Sequence, residues 1–400
     1  MTRYNFDKIT NRKGTNCLKY DFAVERGKPA DVLPLWVADM DFPVSEEITK
    51  SLHAAVEHGI YGYTQPKDAY YNAVMNWMER NHNWKTEREW IVKTPGVVFA
   101  LGAAVKAFTD PGDAILIQNP VYYPFTNIIR DNDRRVVDNT LIYEKTAGQS
   151  GDNGYRIDFE DFERKLEQEH IKLFILCNPH NPVGRVWTAE ELQKLGEICL
   201  RHHVIVVSDE IHNDFVYPGY EHTVFATVDP RFAEFTVTCT APSKTFNLAG
   251  LQISNIFIPN EKLRKAFQTE IDKTGYDEPN ALGIVACEAA YRAGEDWLDQ
   301  LRAYLLKNLN FLRNFLQEKI PQIHLVEPEG TYLVWLDCSE LGITGKELDQ
   351  FIVDKAGLWL DGGSMFGPSG AAFQRVNIAC PQATLELALN KLKAAVDNLE

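Results

Sequence analysis

Residues that could hold and activate a small molecule stand directly after several apolar runs of the sequence. They are Tyr122, Tyr123, Asn181, Asp209 and Lys244. A lysine amine forms a Schiff base with a carbonyl compound, and it exchanges protons when burial and nearby cations lower its pKa. The set suits a pyridine aldehyde held by a lysine. It is unusual for a dehydrogenase, because the chain contains no glycine-rich G-x-G-x-x-G motif.

These residues need elements that bring the ends of the apolar runs together. Buried strands are predicted at 114–118, 171–177, 203–207, 235–239 and 253–258. A helix is predicted over 188–202, because Thr188 and Glu191 form a capping-box pair and apolar residues follow at helical spacing. Alternating strands and helices favour a parallel or mixed sheet with both faces covered. Ligands of such sheets bind beyond the carboxyl ends of the strands, where the five residues would gather.

The pattern changes beyond about residue 280. Residues 280–320 are predicted to be mostly helical, and a strand is predicted at 332–336. A second capped helix is predicted to begin at Thr344, paired with Glu347, and a last helix to run to the end of the chain.

The predicted fold class is therefore α/β with two parts. The large domain, 46–285, would hold a mixed, mostly parallel sheet covered by helices. Residues 1–45 and 286–400 would form a smaller α+β domain, with the N-terminal segment packed on the C-terminal part.

Composition excludes several classes of protein. The 400 residues carry 41 basic and 56 acidic side chains, for a net charge of −15, so nucleic acid is not an expected partner. No apolar stretch approaches the roughly 20 residues of a membrane span, and the first residues lack the apolar core of a secretion signal. Seven scattered cysteines with no C-x-x-C motif predict neither a disulfide framework nor a thiolate zinc site. A cytoplasmic location is expected.

Three motifs in a fixed order carry a resemblance to a known family. They are Asn178-Pro-His-Asn-Pro-Val-Gly184, then Asp209-Glu210 at a predicted strand end, then Ser243-Lys244 with Gly250 six residues on. On these motifs the chain resembles the fold type I, pyridoxal-phosphate-dependent enzymes of the class I/II aminotransferase superfamily.

Four segments sharpen that resemblance, which spans residues 36–375. The segments at 36–43, 61–64, 209–212 and 243–250 look like those of the cystathionine β-lyase-like (MalY/PatB) C–S lyase subgroup. The resemblance implies a PLP-dependent transferase-like fold and pyridoxal 5′-phosphate as cofactor.

The resemblance also implies roles for the residues at the strand ends. Lys244 would hold the cofactor as a Schiff base and then take the substrate Cα proton. Asp209 would keep the pyridine nitrogen protonated, and Asn181 would donate to the ring oxygen. His212 stands where many relatives have a tyrosine, and it could touch the ring oxygen or only pack beside the ring.

Two tyrosines would complete the ring and substrate side of the site. Tyr122 resembles the aromatic residue that stacks on the cofactor ring. Tyr123 would move a proton to or from the leaving group, although a phenol with a pKa near 10 is a poor acid–base group unless a cation shifts it. Arg375 resembles the arginine that binds the substrate α-carboxylate, to which its planar fork is suited.

The phosphate would be bound at a helix N-terminus. Gly96, Val97 and Val98 precede an apolar run to residue 108, so their backbone N–H groups could bind an anion, with Ser243 adding a hydroxyl. Tyr63, with Tyr61 as the alternative, would reach the phosphate of a neighbouring subunit, so that a homodimer would complete the active site.

One position departs from the family pattern. Gln252 stands where many relatives have a phosphate-binding arginine, eight residues after Lys244, which weakens the likeness to classical transaminases. No metal is expected, because Asp39 and Asp41 have no histidine nearby and hard cations need more oxygen ligands.

The expected reaction is α,β-elimination from cystathionine, cysteine or a related S-substituted amino acid, giving a thiol, pyruvate and ammonia. An aminotransferase acting on aromatic or other neutral amino acids is the alternative. A cofactor-binding sensor is a third reading, but the chain has no basic DNA-binding module to support it.

Overall fold

The computed structural model describes residues 4–145 and 153–399. Its α-helices are α1 Leu18–Asp21, α2 Glu46–His58, α3 Asp68–His82, α4 Val97–Phe108, α5 Pro124–Asp131, α6 Phe159–Gln168, α7 Ala189–Arg201, α8 Pro242–Thr245, α9 Glu261–Asp272, α10 Ala281–Ala293, α11 Glu295–Lys319, α12 Gly345–Asp354 and α13 Gln382–Val396. Its strands are β1 Leu33–Pro34, β2 Ile91–Thr94, β3 Ala114–Ile117, β4 Arg135–Asp138, β5 Ile142–Tyr143, β6 Tyr155–Arg156, β7 Leu173–Cys177, β8 Ile205–Asp209, β9 Thr236–Thr240, β10 Ser254–Phe257, β11 His324–Leu325, β12 Leu333–Asp337, β13 Leu358–Trp359, β14 Asp361–Gly362 and β15 Phe373–Asn377.

A seven-stranded sheet positions the site. Its strand order is β2-β10-β9-β8-β7-β3-β4, and all neighbouring pairs are parallel except those of β10, which runs antiparallel to β2 and β9. The register places Asp209 opposite both Cys177 and Cys239, so β7, β8 and β9 end at the same edge. The predicted mixed, mostly parallel sheet is confirmed.

Helices cover both faces of this sheet because alternate strand residues point in opposite directions. Ile115 and Ile117 of β3 pack in the core formed with α4, α5 and α9, whereas Leu116 packs in the core formed with α6 and α7. Strands β3 and β7 are apolar throughout, as is typical of strands that are buried on both faces.

A second, antiparallel sheet has the order β11-β12-β15-β14. The N-terminal segment packs on this part of the molecule: β1 pairs in parallel with β13, and Asn377 of β15 donates 2.6 Å hydrogen bonds to the carbonyls of Val37 and Asp39. Segment 36–41 is thereby held between the second sheet and the carboxyl edge of the first.

One predicted detail of the helices was wrong, the side-chain cap of the helix after Thr344. The mostly helical region predicted at 280–320 is confirmed, and it consists of two helices, α10 and α11, which meet at Gly294. A Cβ atom at position 294 would lie 2.4 Å from the ring of Phe246, so the packing of Phe246 requires a glycine there. Thr344 precedes α12, but its side chain makes no capping hydrogen bond, whereas the capping box of Thr188 and Glu191 is confirmed.

Within the described residues, no helix combines the length and apolar character needed to cross a membrane.

Candidate active site

A cavity of about 180 Å³ lies at the carboxyl edge of the large sheet. Nine of the predicted site residues line it: Gly96, Val97, Val98, Tyr122, Asn181, Asp209, His212, Ser243 and Lys244. They come from the ends of β2, β3, β7, β8 and β9, which are distant in sequence. The parallel arrangement of the strands brings them together, as expected of an open α/β sheet.

Lys244 lies in the short helix α8, directly after β9. Its Nζ donates a 2.8 Å hydrogen bond to the carbonyl of Ala38 in segment 36–41. Burial and the positive charge of Arg375 lower the pKa of Lys244 to about 8. The amine can therefore be neutral near physiological pH, which a nucleophile or a base requires.

Asp209, the last residue of β8, supplies a buried carboxyl group to the cavity. Burial raises its pKa to about 7, although the backbone N–H of Ile211 and the charge of Lys244 oppose that rise. A cationic ring nitrogen beside this carboxylate would compensate the buried charge. His212 is also buried, and its pKa is lowered well below the usual value by burial and by the charges of Lys244 and Arg375.

Arg375 lies on β15 of the second sheet and reaches the same region. One of its Nη atoms donates to Asn181 Oδ1 at 3.0 Å, and the other donates to the carbonyl of Trp36 at 2.9 Å. It also forms a buried ion pair with Asp361. Because Asn181 Oδ1 accepts from Arg375, the amide NH₂ group remains to donate into the cavity.

A helix N-terminus also borders the cavity. Gly96 is the N-cap of α4 and no side chain caps this helix, so its first backbone N–H groups lack intrahelical partners. Gly96, Val97, Val98 and Ser243 all line the cavity, and the free N–H groups of this helix suit an anion.

The two adjacent tyrosines have different surroundings. Tyr122 lines the cavity, whereas Tyr123 does not appear in its lining and packs edge-on against Phe366. Burial and the charge of Asp361 raise the pKa of Tyr123, and Arg375 only opposes this. Tyr123 is therefore protonated at neutral pH and suited to donating a proton rather than accepting one.

Two residues singled out from the sequence lie away from the cavity lining. Tyr63 is 97% exposed, in the irregular segment between α2 and α3, so a single chain does not bring it to the site. Gln252 is exposed and does not line the cavity either. Asp39 and Asp41, considered as metal ligands, form ion pairs with Arg12 and Lys19.

The residues present fit pyridoxal phosphate. His212 Nδ1 and Arg375 Nε are buried and have no hydrogen-bond partner among the described residues. Lys244, an aspartate for a ring nitrogen and an uncapped helix N-terminus for a phosphate lie around one cavity. Each charged part of the cofactor thus has a complementary group.

Sequence reasoning missed Asp361 and the Ala38 carbonyl. Asp361 is brought beside Arg375 by the antiparallel register of β14 and β15, for which the sequence offers no signal. Ala38 lies inside the segment 36–43 that carries the subgroup resemblance, but a backbone contact has no sequence signature.

Comparison with known proteins agrees with this geometry. Residues 30–392 match the family Aminotransferase class I and II. The chain is 46% identical over 392 residues to the cystathionine beta-lyase PatB of Bacillus subtilis, covering 98% of this chain and 100% of PatB.

Solved structures match this chain over nearly their whole length. Cystalysin from Treponema denticola, which contains a pyridoxal 5′-phosphate cofactor, has a TM-score of 0.94 at 38% identity, covering 99% of this chain and 100% of cystalysin. The PLP-bound C-S lyase from Staphylococcus hominis has a TM-score of 0.91 at 35% identity and covers 98% of each chain.

Proposed function

The chain belongs to the class I and II aminotransferase family, and from this premise we propose that it is a pyridoxal-phosphate-dependent carbon–sulfur β-lyase. It would convert cystathionine, cysteine or a related S-substituted amino acid, with water, into a thiol, pyruvate and ammonia. Transamination is not favoured, because PatB and the Staphylococcus hominis protein are lyases by their names.

The observation that carries the proposal is the convergence of Lys244, Asp209 and Asn181 on one cavity, with Arg375 bonded to Asn181. Lys244 would bind the aldehyde of the cofactor and Asp209 its ring nitrogen, and Arg375 would bind the carboxylate of the substrate. PatB, cystalysin and the Staphylococcus lyase support the choice of cofactor and reaction.

Each side chain has a distinct task in the elimination. When bound, pyridoxal phosphate supplies a sink for the electron pair left at the substrate Cα. Asp209 would hold the positive charge of the ring nitrogen, and Arg375, which is bonded to Asn181, would bind the substrate carboxylate through its planar fork.

Proton transfer falls to Lys244 and Tyr123. Lys244 in its neutral form takes the Cα proton, which its lowered pKa permits near pH 8. Tyr123, protonated and half-buried, donates to the departing sulfur. A proton removed at Cα and a proton given to sulfur balance the release of the thiol.

The proposal is tested with purified, cofactor-loaded protein and L-cystathionine without a keto acid. Equal amounts of thiol, pyruvate and ammonia over many turnovers would support elimination. Turnover only after a keto acid is added, with no thiol released, would contradict the lyase and establish an aminotransferase.

Three further expectations belong to this proposal. The protein would act in the cytoplasm as a homodimer, with the exposed Tyr63 of each subunit reaching the phosphate of its neighbour. Residues 46–285 would form the cofactor-binding domain, and 1–45 with 286–400 the smaller domain.

A further inference from the structure

The helix that carries Lys244 is too short to be stable without contacts to the rest of the protein. Helix α8 has four residues and no side-chain cap, whereas isolated helices need about 12–15 residues to be even marginally stable in water. Its orientation must therefore come from contacts with the rest of the protein. Ser243 and Lys244 line the cavity, while the next residue, Thr245, is fully buried and faces away from it.

The contact on that buried side is with Asp214. The Thr245 hydroxyl donates to Asp214 Oδ2 at 2.6 Å. The other carboxylate oxygen, Oδ1, accepts from Trp77 Nε1 at 3.1 Å and lies 3.0 Å from His82 Nε2. Trp77 and His82 belong to α3, so the carboxylate joins α8 to a long, well-packed helix.

Asp214 is buried but keeps its charge. Its side chain is only 2% exposed. Although burial raises the pKa of Asp214, the hydrogen bond and charge of His82, the charge of Arg302 and the Thr245 hydroxyl hold it below its usual value. Arg302 also donates from Nε to the Asp214 carbonyl at 2.7 Å, which fixes the main chain at this residue. Charge-assisted hydrogen bonds of this kind are stronger than neutral ones.

The same residue belongs to the loop that follows Asp209. That loop also carries His212, whose carbonyl accepts from the N–H of Phe215, the residue after Asp214. The carboxylate of Asp214 thus connects the loop that carries His212 to helix α8, which carries Lys244.

We infer that Asp214 is a positioning residue for Lys244: its carboxylate, held by Trp77 and His82, fixes Thr245 and with it the helix that carries the lysine. The inference rests on the proposed function, because it assigns Asp214 to the lysine that would hold the cofactor. Asp214 itself is not expected to touch substrate or cofactor.

The variant Thr245→Val tests this with little change in shape, Thr245→Ser restores the hydroxyl, and Asp214→Asn alters the acceptor. Thr236→Val is the matched control, since Thr236 is equally buried and loses a hydroxyl bond to the carbonyl of Phe232, but lies at the far end of β9. Three quantities are measured: kcat and KM per bound cofactor, the pH midpoint of the visible absorption of bound pyridoxal phosphate, and the Tm of the cofactor-free protein.

We expect Thr245→Val to lower kcat about 10- to 100-fold while KM changes by less than about threefold, because small misplacements of a reacting group cost rate rather than binding. The absorption midpoint should shift, Thr245→Ser should restore both values, and Thr236→Val should lower only Tm. Asp214→Asn should move kcat and the midpoint in the same direction as Thr245→Val.

An active Thr245→Val enzyme with an unchanged kcat and midpoint would overturn the inference alone. The inference would also be overturned if Thr236→Val changed kcat and the absorption midpoint as Thr245→Val does, because both effects would then come from a general loss of packing. A wild-type protein that carries no cofactor on Lys244 would overturn the proposed function and this inference together.

Discussion

Two cavities of the molecule differ in size and in the residues that line them. The cavity beside Lys244 measures about 180 Å³, and a second one measures about 400 Å³. The larger is lined by Phe215, Val216, Tyr217, Pro218, Tyr220, Arg302, Ala303, Leu305, Leu306 and Thr331. The smaller lies where strand ends bring a lysine, an aspartate and a histidine together, each with a displaced pKa. Convergent charge at the strand ends, rather than volume, identifies the site.

The largest effect should come from Lys244→Ala. Loss of the amine removes both the attachment group and the base, so elimination should fall at least about 10³-fold. The check is pyruvate release per mole of protein, with Lys106→Ala, an exposed lysine of α4, as the control. Substantial elimination by Lys244→Ala would place the chemistry elsewhere.

Arg375→Lys should have the next largest effect. A lysine keeps the charge but loses the planar fork, so kcat/KM should fall about 10- to 100-fold. Arg313→Lys is the control, because Arg313 makes a two-pronged pair with Glu327, which does not line the cavity, whereas Arg375 donates to Asn181, which does. Equal kcat/KM values for the two variants would show that Arg375 does not bind the substrate.

Stability should depend on pH through Lys244. Its pKa in the cofactor-free fold is about 8, below the ordinary 10.5, so the unfolded chain binds more protons between these values. The destabilisation is complete below pH 8 and disappears as pH rises towards 10.5. Lys244→Met should therefore raise Tm more at pH 7 than at pH 10.

Asp209→Asn should show the opposite trend. The pKa of Asp209 is raised to about 7, so ionising it destabilises the fold progressively as pH rises from 3.8 through 7. The gain in Tm should be larger at pH 8 than at pH 5. Leu306→Ala, in the larger cavity, should change Tm equally at all these pH values. A gain in Tm for Asp209→Asn that is the same at pH 5 and pH 8 would show that burial does not raise the pKa of Asp209.

The smallest effect should come from Tyr217→Phe in the larger cavity. The hydroxyl of Tyr217 is buried and has no hydrogen-bond partner within the described residues. Removing it should leave kcat/KM within about twofold and raise the free energy of unfolding by up to about 1 kcal/mol. A large loss of activity would show that this cavity also serves the reaction.

The sequence predicted the elements and most of the site because both follow from local signals. Apolar runs located the central strands, and the residues after them located Asn181 and Lys244. The ends of the central strands differ from the predicted ones by at most two residues: Asp209, expected just after its strand, is its last paired residue. Backbone hydrogen bonds define that boundary, and the apolar pattern does not report them.

What the sequence could not predict depends on contacts between distant segments. Phe246 leaves no room for a side chain at Gly294, and Asp361 reaches Arg375 only through sheet register. The Asp214–Thr245 contact joins residues 31 positions apart. Tyr63 needs a second subunit to have any role at the cavity.

The most direct test of the site at Lys244 is to reduce the yellow, cofactor-loaded protein with borohydride, digest it and measure the peptide masses. We expect the added mass of the reduced cofactor on the peptide that contains Lys244. The corresponding peptide of the Lys244→Ala variant should carry no added mass. Label on another lysine, or no label on a protein that eliminates thiol, would contradict the assignment.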